Sequence, residues 1–178
     1  MEYILPNDPN IVWYVGRSRS GQEMKIKRFV ESQGIEHFIP TKIVVCRVDG
    51  KKQEAERPII KNLIFVRATK QTATALANEY GLPITYLIDR TRKPQSMMVV
   101  PDKQMQDFMT VVESRQEELR LLSRPVAVGD KVRVISGDFE GVEGNVLDVG
   151  HEKYIVVAPC GLLQAIAKID PDALEIIR

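Results

Sequence analysis

The stretch VGDKVRVISGDFEGVEGNVLDV, residues 128–149, places glycines among apolar residues that mostly alternate with polar ones. Glycine weakens a strand, so glycines at this density indicate tight turns in which the backbone takes positive φ angles. Val132 and Val134 stand on one side of the alternation, which predicts a strand. A turn over residues 136–141 and a second strand over 142–149 follow. The stretch therefore predicts a small, strongly bent β-barrel.

Composition favours a globular protein without a membrane segment. Of 178 residues, 44% are hydrophobic and 28% are charged, which is typical of a soluble fold. The longest apolar runs are too short to cross a bilayer, and the first residues lack the basic start of a secretory signal. Cys46 and Cys160 form no CxxC pair, so nothing indicates an oxidising compartment. We expect a cytoplasmic protein with no membrane partner.

Charge is distributed unevenly along the chain. From Pro125 onward there are five Lys and Arg against nine Asp and Glu, a net charge of −4. Because the whole chain carries +1, the first 124 residues carry +5. Such an asymmetry indicates two domains with different partners, of which the first would attract nucleic acid and the second would repel it.

Local signals in the first part predict the element order β-α-β-β-β-α-β-α. The tetrapeptide SGQE, residues 20–23, has the capping-box form and indicates a helix start. Asp49-Gly50 between two β-rich runs predicts a hairpin. Thr69 is the expected N-cap of a second helix, and ITYLID, residues 84–89, is expected to be one strand.

The fold class is therefore α+β. An N-terminal antiparallel sheet flanked by helices is followed by a small β-barrel. We expect the first domain over residues 1–112 and the barrel over residues 125–178. A charged helix tail without an apolar face marks residues 113–124 as the linker between them.

The residues that catalysis or metal binding would need are missing. Only His37 and His151 are present, and neither has a second histidine or a cysteine at ligand spacing. The sequence contains no phosphate-binding glycine loop of either common form. We therefore expect neither an enzyme nor a protein with a metal or cofactor.

The chain resembles the NusG family in several stretches taken in order. These are WYVGRSRSGQEMKIKRFVESQGIEHFIPT, the central strand RPIIKNLIFV, the closing segment YLIDRTRKPQSMMVVPDKQMQDFM, and GDKVRVISGDFEGVEGNV, which is similar to the KOW motif. The resemblance spans residues 11–177. It implies an NGN-like first domain, a KOW domain with an SH3-like barrel, and a transcription elongation factor that binds RNA polymerase.

One departure bears on the type of family member. Lys61, Asn62 and Leu63 stand where housekeeping NusG usually has Pro-Gly-Tyr. The chain is in this respect more similar to specialised paralogues such as RfaH and the UpxY-type regulators encoded with capsular polysaccharide loci. That similarity implies antitermination on one long operon. A housekeeping elongation or termination factor and a ribosome-associated KOW protein that binds RNA remain alternatives.

The resemblance assigns residues to three contacts in the first domain. An apolar groove for the clamp helices of RNA polymerase would contain Ile60, Leu63, Phe65, Tyr86 and Leu87. The alternative is that these residues are core, but strand alternation cannot place residues 63, 64 and 65 on one side, so some should face outward. A contact with the polymerase gate loop would involve Thr72, Thr74 and Ala75, although a clear His-Thr-Thr triplet is absent. Upstream DNA or the non-template strand would be approached by Arg17, Arg19, Lys25, Arg28, Lys51 and Lys52, unless these side chains are simply solvated.

The acidic barrel is expected to bind a protein, either a ribosomal protein or a cognate regulator. Phe139 lies between Asp138 and Glu140 in a glycine-bounded turn and is the expected anchor. The alternative is that its ring folds back and closes the end of the barrel. We expect the protein to be a monomer.

Overall fold

The computed structural model describes residues 9–114, 120–122 and 128–177. These residues form two compact units that divide between Val99 and Val100. The arrangement is α+β, as the sequence predicts, with an antiparallel sheet and helices followed by a strand-rich C-terminal sheet. No helix in the described part of the chain is long and apolar enough to cross a membrane.

The first unit is built on an antiparallel sheet. Its elements are β1 (Val12–Ser18), α1 (Glu23–Ser32), β2 (Glu36–Phe38), β3 (Thr41–Val48), β4 (Lys51–Pro58), β5 (Ile64–Ala68), α2 (Lys70–Asn78), β6 (Ile84–Tyr86), β7 (Ile88–Asp89), β8 (Ser96–Met97) and β9 (Val99–Val100). The sheet has the order β2-β5-β1-β6, and β9 also pairs with β1. One core cluster contains Ile26 and Val30 of α1, Leu76 of α2, and Ile64 and Val66 of β5. The apolar faces of the two helices thus cover one face of the sheet.

The predicted hairpin is confirmed as a long two-stranded ribbon. Asp49 and Gly50 connect β3 to β4 and have φ angles of 51° and 77°. Two successive positive φ angles match the right-handed twist of the flanking strands, which explains the Asp-Gly pair. The ribbon pairs over all eight residues of each strand and forms a sheet of its own.

Two local predictions in this unit need correction. α1 begins at Glu23 with Gln22 and not Ser20 as its N-cap residue and has no side-chain cap, and the Glu23 carboxylate accepts a hydrogen bond from the Asn62 N–H at 2.8 Å. The capping box expected over residues 20–23 is therefore not formed. The expected single strand over residues 84–89 is two strands, β6 and β7, since Leu87 between them bonds to the backbone of Val15 and Met98.

The described residues of the second unit form one α-helix, two short 3₁₀ helices (Pro159–Gly161 and Pro171–Ala173) and a six-stranded sheet. The α-helix and the strands are α3 (Asp102–Glu113), β10 (Arg120–Leu122), β11 (Lys131–Val134), β12 (Glu143–Val149), β13 (Glu152–Val157), β14 (Gln164–Ile169) and β15 (Leu174–Ile176). The strands have the order β10-β14-β13-β12-β11-β15. One of them, β10, comes from the segment predicted to be a linker and pairs with β14, with Arg120 opposite Ile166.

α3 contacts the barrel strands within this unit. The Lys103 Nζ donates to the Gly141 carbonyl at 2.8 Å, and the Cys160 N–H donates to Gln104 Oε1 at 3.2 Å. The sequence analysis placed this helix in the first domain. Most of the predicted linker, residues 115–119 and 123–124, lies outside the described residues, so the domain boundaries stay a prediction.

The glycines of the opening stretch have two roles. Gly137 and Gly141 have φ angles of 86° and 84°, and they enclose the turn predicted over residues 136–141. Gly144 lies inside β12, where an added Cβ would stand 2.6 Å from the Val156 carbonyl oxygen. Glycine is therefore required there by close approach of the neighbouring strand.

Candidate functional site

The predicted groove residues occupy different faces of the first unit's sheet. The Leu87 N–H donates to the Val15 carbonyl at 2.9 Å, and Val15 lies opposite Phe65. One face of the sheet therefore carries a row made of Leu87, Val15 and Phe65. Phe38 on β2 extends this row. Tyr86 lies opposite Gly16 and points to the other face, towards the helices.

The central strand is buried on both sides. The exposed fractions along it are 8% for Leu63, 0% for Ile64, 0% for Phe65 and 1% for Val66. The Phe38 and Phe65 rings lie 6.4 Å apart. The expectation that some of residues 63–65 face outward is therefore wrong, because neither sheet face is open at this strand. Ile60, Tyr86 and Leu87 are half-buried and keep some accessible surface.

The Tyr86 side chain lies at the edge of the core that the helices cover. Its ring meets that of Tyr14 edge to face, with centroids 6.1 Å apart. Its hydroxyl is buried and has no hydrogen-bond partner in the described part of the chain. Burial raises the pKa of Tyr86 well above its usual range. The hydroxyl is therefore neutral at physiological pH and packs with the helix-covered core.

The α2 residues assigned to the gate loop use their polar groups locally. Thr69 is the N-cap, as predicted, and its Oγ1 accepts from the Thr72 N–H at 3.1 Å. The Thr72 hydroxyl lies 3.0 Å from the Thr69 hydroxyl, and the Thr74 hydroxyl donates to the Lys70 carbonyl at 2.8 Å. Thr74 is exposed, whereas Thr72 and Ala75 are half-buried. Thr74 is thus the most accessible of the three.

The basic residues assigned to DNA are all exposed, but they lie on separate elements. Arg17 on β1 lies opposite Thr85 on β6, and the Arg19 N–H donates to the Pro83 carbonyl just before β6. Lys25 and Arg28 project from α1, where Arg28 Nε bonds to the Met24 carbonyl. Lys51 and Lys52 are neighbours on β4, so their side chains point to opposite faces of the ribbon. The six residues do not form one surface.

The register of the ribbon separates its charges by face. Lys42 lies opposite Arg57 and Cys46 opposite Gln53, and Lys51 follows on the same side. We call this side the basic face. The other side, the mixed face, carries Ile43, Val45, Arg47, Lys52, Glu54 and Glu56.

The Glu56 carboxylate is held by two hydrogen bonds at the base of the mixed face. Its Oε1 accepts hydrogen bonds from Lys27 Nζ and from the Thr41 hydroxyl, each at 2.5 Å. These two hydrogen bonds, from Lys27 first and then from Thr41, hold the pKa of Glu56 below its usual range. The mixed face is thus fixed to α1 at this end.

A cavity of about 270 Å³ lies where the ribbon meets the start of α1. Its lining consists of Ser20, Gly21, Glu23, Met24, Arg57, Pro58 and Lys61. Glu23 is 2% exposed and its carboxylate is engaged by the Asn62 N–H. Arg57 and Lys61 are exposed, and neither forms an ion pair with a described residue. The cavity therefore has two cations available to a ligand.

No group of three or more His, Cys, Asp or Glu residues that could hold a metal is found within residues 9–114, 120–122 and 128–177. Cys46 and Cys160 are both free thiols.

A comparison with protein families decides the affiliation. The family model described as "Transcription termination factor nusG" matches residues 11–109, which is more than half of the chain. The chain belongs to the NusG family. Proteins of the NusG family are transcription factors, and they bind RNA polymerase.

A solved structure of Thermotoga maritima NusG, described as showing domain interaction, is similar to the chain. The TM-score is 0.49 at 18% sequence identity, and the similarity covers 94% of this chain and 98% of that chain. The NusG-family match lies in the first unit and the first turns of α3.

The barrel of this NusG-family chain does not present Phe139 to a partner. Its side chain is 2% exposed and is among the largest fully buried ones. The expectation of a surface anchor is therefore wrong, and the burial agrees with the alternative in which the ring folds back into the barrel. The apolar side chains that the barrel does expose include Ile135, Val149 and Ile176.

The nucleic-acid residues predicted from the sequence were not divided by the face of the hairpin on which they lie. Lys42, Arg57 and Lys61 were absent from the predicted nucleic-acid set, whereas Lys52 on the mixed face was included. Alternation from the Asp49-Gly50 turn was the signal that would have separated them, because it places Lys42 and Lys51 on the same face.

Proposed function

We propose that this NusG-family chain binds RNA polymerase during elongation and promotes processive transcription of one long operon by antitermination. The family match over residues 11–109 carries the proposal, because it covers the domain that the resemblance assigns to polymerase binding. A housekeeping elongation or termination role is the alternative within the same family.

The polymerase-binding surface is the apolar face that contains Leu87. Ile60 and Leu87 keep accessible area, whereas Leu63 and Phe65 are buried. Leu87 therefore supplies a direct contact with the clamp helices from this face, Ile60 supplies a second contact just after β4, and the buried Leu63 and Phe65 serve as supporting core. Thr74 on α2 is the most accessible residue for a gate-loop contact.

The specialised role rests on the loop before the central strand. Asn62 stands there with a φ angle of 63°, a left-handed conformation that asparagine tolerates better than most residues. It therefore keeps the backbone turn for which housekeeping members use glycine, while Lys61 and Leu63 replace the flanking proline and tyrosine. The exposed side chain that differs at this loop is Lys61, and this difference supports a different operon specificity. A capsular polysaccharide locus is the operon class that the resemblance suggests.

The other partners follow from charge. The first 124 residues carry +5 and approach upstream DNA or the non-template strand, whereas the barrel region carries −4 and binds a protein. A ribosomal protein or a cognate regulator is the proposed barrel partner. The chain acts as a monomer in this scheme.

Replacing both accessible groove residues tests the polymerase surface. Ile60→Glu together with Leu87→Glu is expected to weaken polymerase binding at least about tenfold, because an apolar contact would have to bury two carboxylates. Binding is measured by pull-down of purified polymerase with the full-length chain.

The matched control is Val149→Glu with Ile176→Glu, which adds the same charge at barrel residues that are 54% and 66% exposed. The control should bind polymerase as the unmodified chain does. Circular dichroism checks that both variants are folded. A folded Ile60→Glu, Leu87→Glu chain with undiminished polymerase binding would contradict this surface.

A further inference from the structure

The ribbon of β3 and β4 has one face on which every charged residue, among the described side chains, is a cation. Among the described side chains, the basic face consists of Lys42, Val44, Cys46, Lys51, Gln53, Ala55 and Arg57. Both glutamates of the ribbon lie on the mixed face, and Asp49 lies in the turn. A sequence with a modest positive excess is thus folded into one strongly basic face.

The basic face continues into the cavity at the start of α1. Arg57 belongs to both, and Lys61 and the Ser20 hydroxyl extend the lining beyond the end of β4. Lys42, Lys51, Arg57 and Lys61 are exposed and form no ion pairs with described residues. The eight residues of each strand span about 27 Å, which is enough to pass several phosphates of a nucleic acid strand.

We propose that the basic face and this cavity form a phosphate-binding track for the backbone of a nucleic acid. The track rests on the proposed function, in which the first 124 residues approach DNA, and it names the side chains that would contact the DNA backbone. Lys42, Arg57 and Lys61 neutralise phosphates at the base of the ribbon, Lys51 neutralises one near the Asp49-Gly50 turn, and Ser20 donates to a phosphate oxygen in the cavity.

The side chains of the track also determine what it reads. It carries no aromatic ring on which a base could stack, and lysine ammonium groups act as point charges. Contacts of this kind position a nucleic acid without reading its sequence. The track therefore contributes affinity and orientation, and operon specificity is determined elsewhere.

Two cross-strand pairs allow a charge-matched test. Lys42 and Arg57 face each other on the basic face, and Arg47 and Lys52 face each other on the mixed face. One double variant, Lys42→Gln with Arg57→Gln, changes the basic face. The other, Arg47→Gln with Lys52→Gln, changes the mixed face. Both remove two positive charges from the same ribbon. Both double variants of the full-length chain are titrated into fluorescent single-stranded and duplex DNA over a range of salt concentrations.

The basic-face variant is expected to bind DNA about tenfold more weakly near 0.1 M salt. Its slope of log affinity against log salt should fall by about two for duplex DNA. The mixed-face variant should lose less than about threefold, because its cations point away from the track. Equal losses from both variants would overturn the proposal, since they would indicate general electrostatic attraction, and so would the absence of DNA binding by the unmodified chain at low salt.

Cys46 gives an independent readout without any substitution. It lies in the middle of the basic face and is half-buried, whereas Cys160 lies in the second unit. Added DNA should slow alkylation of Cys46 several-fold relative to Cys160, as measured by mass spectrometry of the two peptides. Unchanged Cys46 alkylation under conditions where DNA is bound would overturn the track, and equal protection by inorganic phosphate alone would overturn a nucleic acid as its ligand.

These measurements use no polymerase, so their failure is distinct from failure of the proposed function. If the DNA measurements fail but the chain binds polymerase, the track is contradicted and the groove assignment is unaffected. If DNA protects Cys46 but the chain does not bind polymerase, the track is supported and the proposed function is contradicted.

Discussion

Phe139→Ala is expected to lower the free energy of unfolding of the second unit by about 3–5 kcal/mol. The Phe139 ring is 2% exposed, so its removal leaves a cavity that so small a sheet cannot close. In a unit of this size, such a loss lowers the melting temperature by more than about 10 °C. Thermal unfolding followed by circular dichroism measures the effect.

Val149→Ala is the control for this prediction, because Val149 is 54% exposed in the same sheet. Its effect should stay within about 0.5 kcal/mol. A Phe139→Ala chain that keeps its melting temperature within a few degrees and loses only a barrel partner would restore Phe139 as a surface anchor. It would contradict the burial on which the barrel core rests.

Phe65→Ala is expected to destabilise the first unit by a similar amount, about 3–5 kcal/mol. Phe65 is fully buried in the central strand, between Val15 on β1 and Phe38 on β2. Trp13 is the only tryptophan of the chain, is 3% exposed and lies on the neighbouring strand β1. Its fluorescence therefore reports the unfolding of this unit in denaturant.

Ile43→Ala, at a ribbon residue that is 59% exposed, should leave the Trp13 transition unchanged within about 0.5 kcal/mol. The pair of variants separates core from surface in the first unit. If Phe65→Ala changes stability by less than about 1 kcal/mol but abolishes polymerase binding, Phe65 is a contact residue and the sequence-level assignment was right about its role.

The features that the sequence predicted are those set by neighbouring residues. Asp49-Gly50 determines its own turn through two positive φ angles, and Thr69 caps α2 through an amide three residues away. Each of these depends on backbone geometry within a few residues.

The features that it did not predict depend on distant contacts. Burial of residues 63–66 on both sides depends on what packs against each sheet face, which strand alternation cannot show. Glu23 would have completed a capping box, but Asn62, distant in sequence, takes its carboxylate. The pairing of β10 with β14 joins segments more than forty residues apart, and Arg120–Leu122 has no local strand signal strong enough to indicate it.

The candidate surfaces show the same division. The basic face follows from alternation about a turn that the sequence identifies, so the separation of Lys42 from Arg47 could have been predicted. The cavity could not, because it brings the start of α1 to the end of β4. Phe139 was ambiguous in the sequence because a glycine-bounded turn can point an aromatic ring either outward or inward.

In vitro transcription tests the central claim, that this NusG-family chain acts on elongating RNA polymerase. The purified full-length chain is added to polymerase already transcribing a long template that contains a terminator, and the fraction of full-length transcript is measured. The account predicts an increase in that fraction, which the Ile60→Glu, Leu87→Glu variant does not produce. An unchanged fraction with the chain in excess, together with co-sedimentation of the chain with ribosomes and not with polymerase, would contradict it.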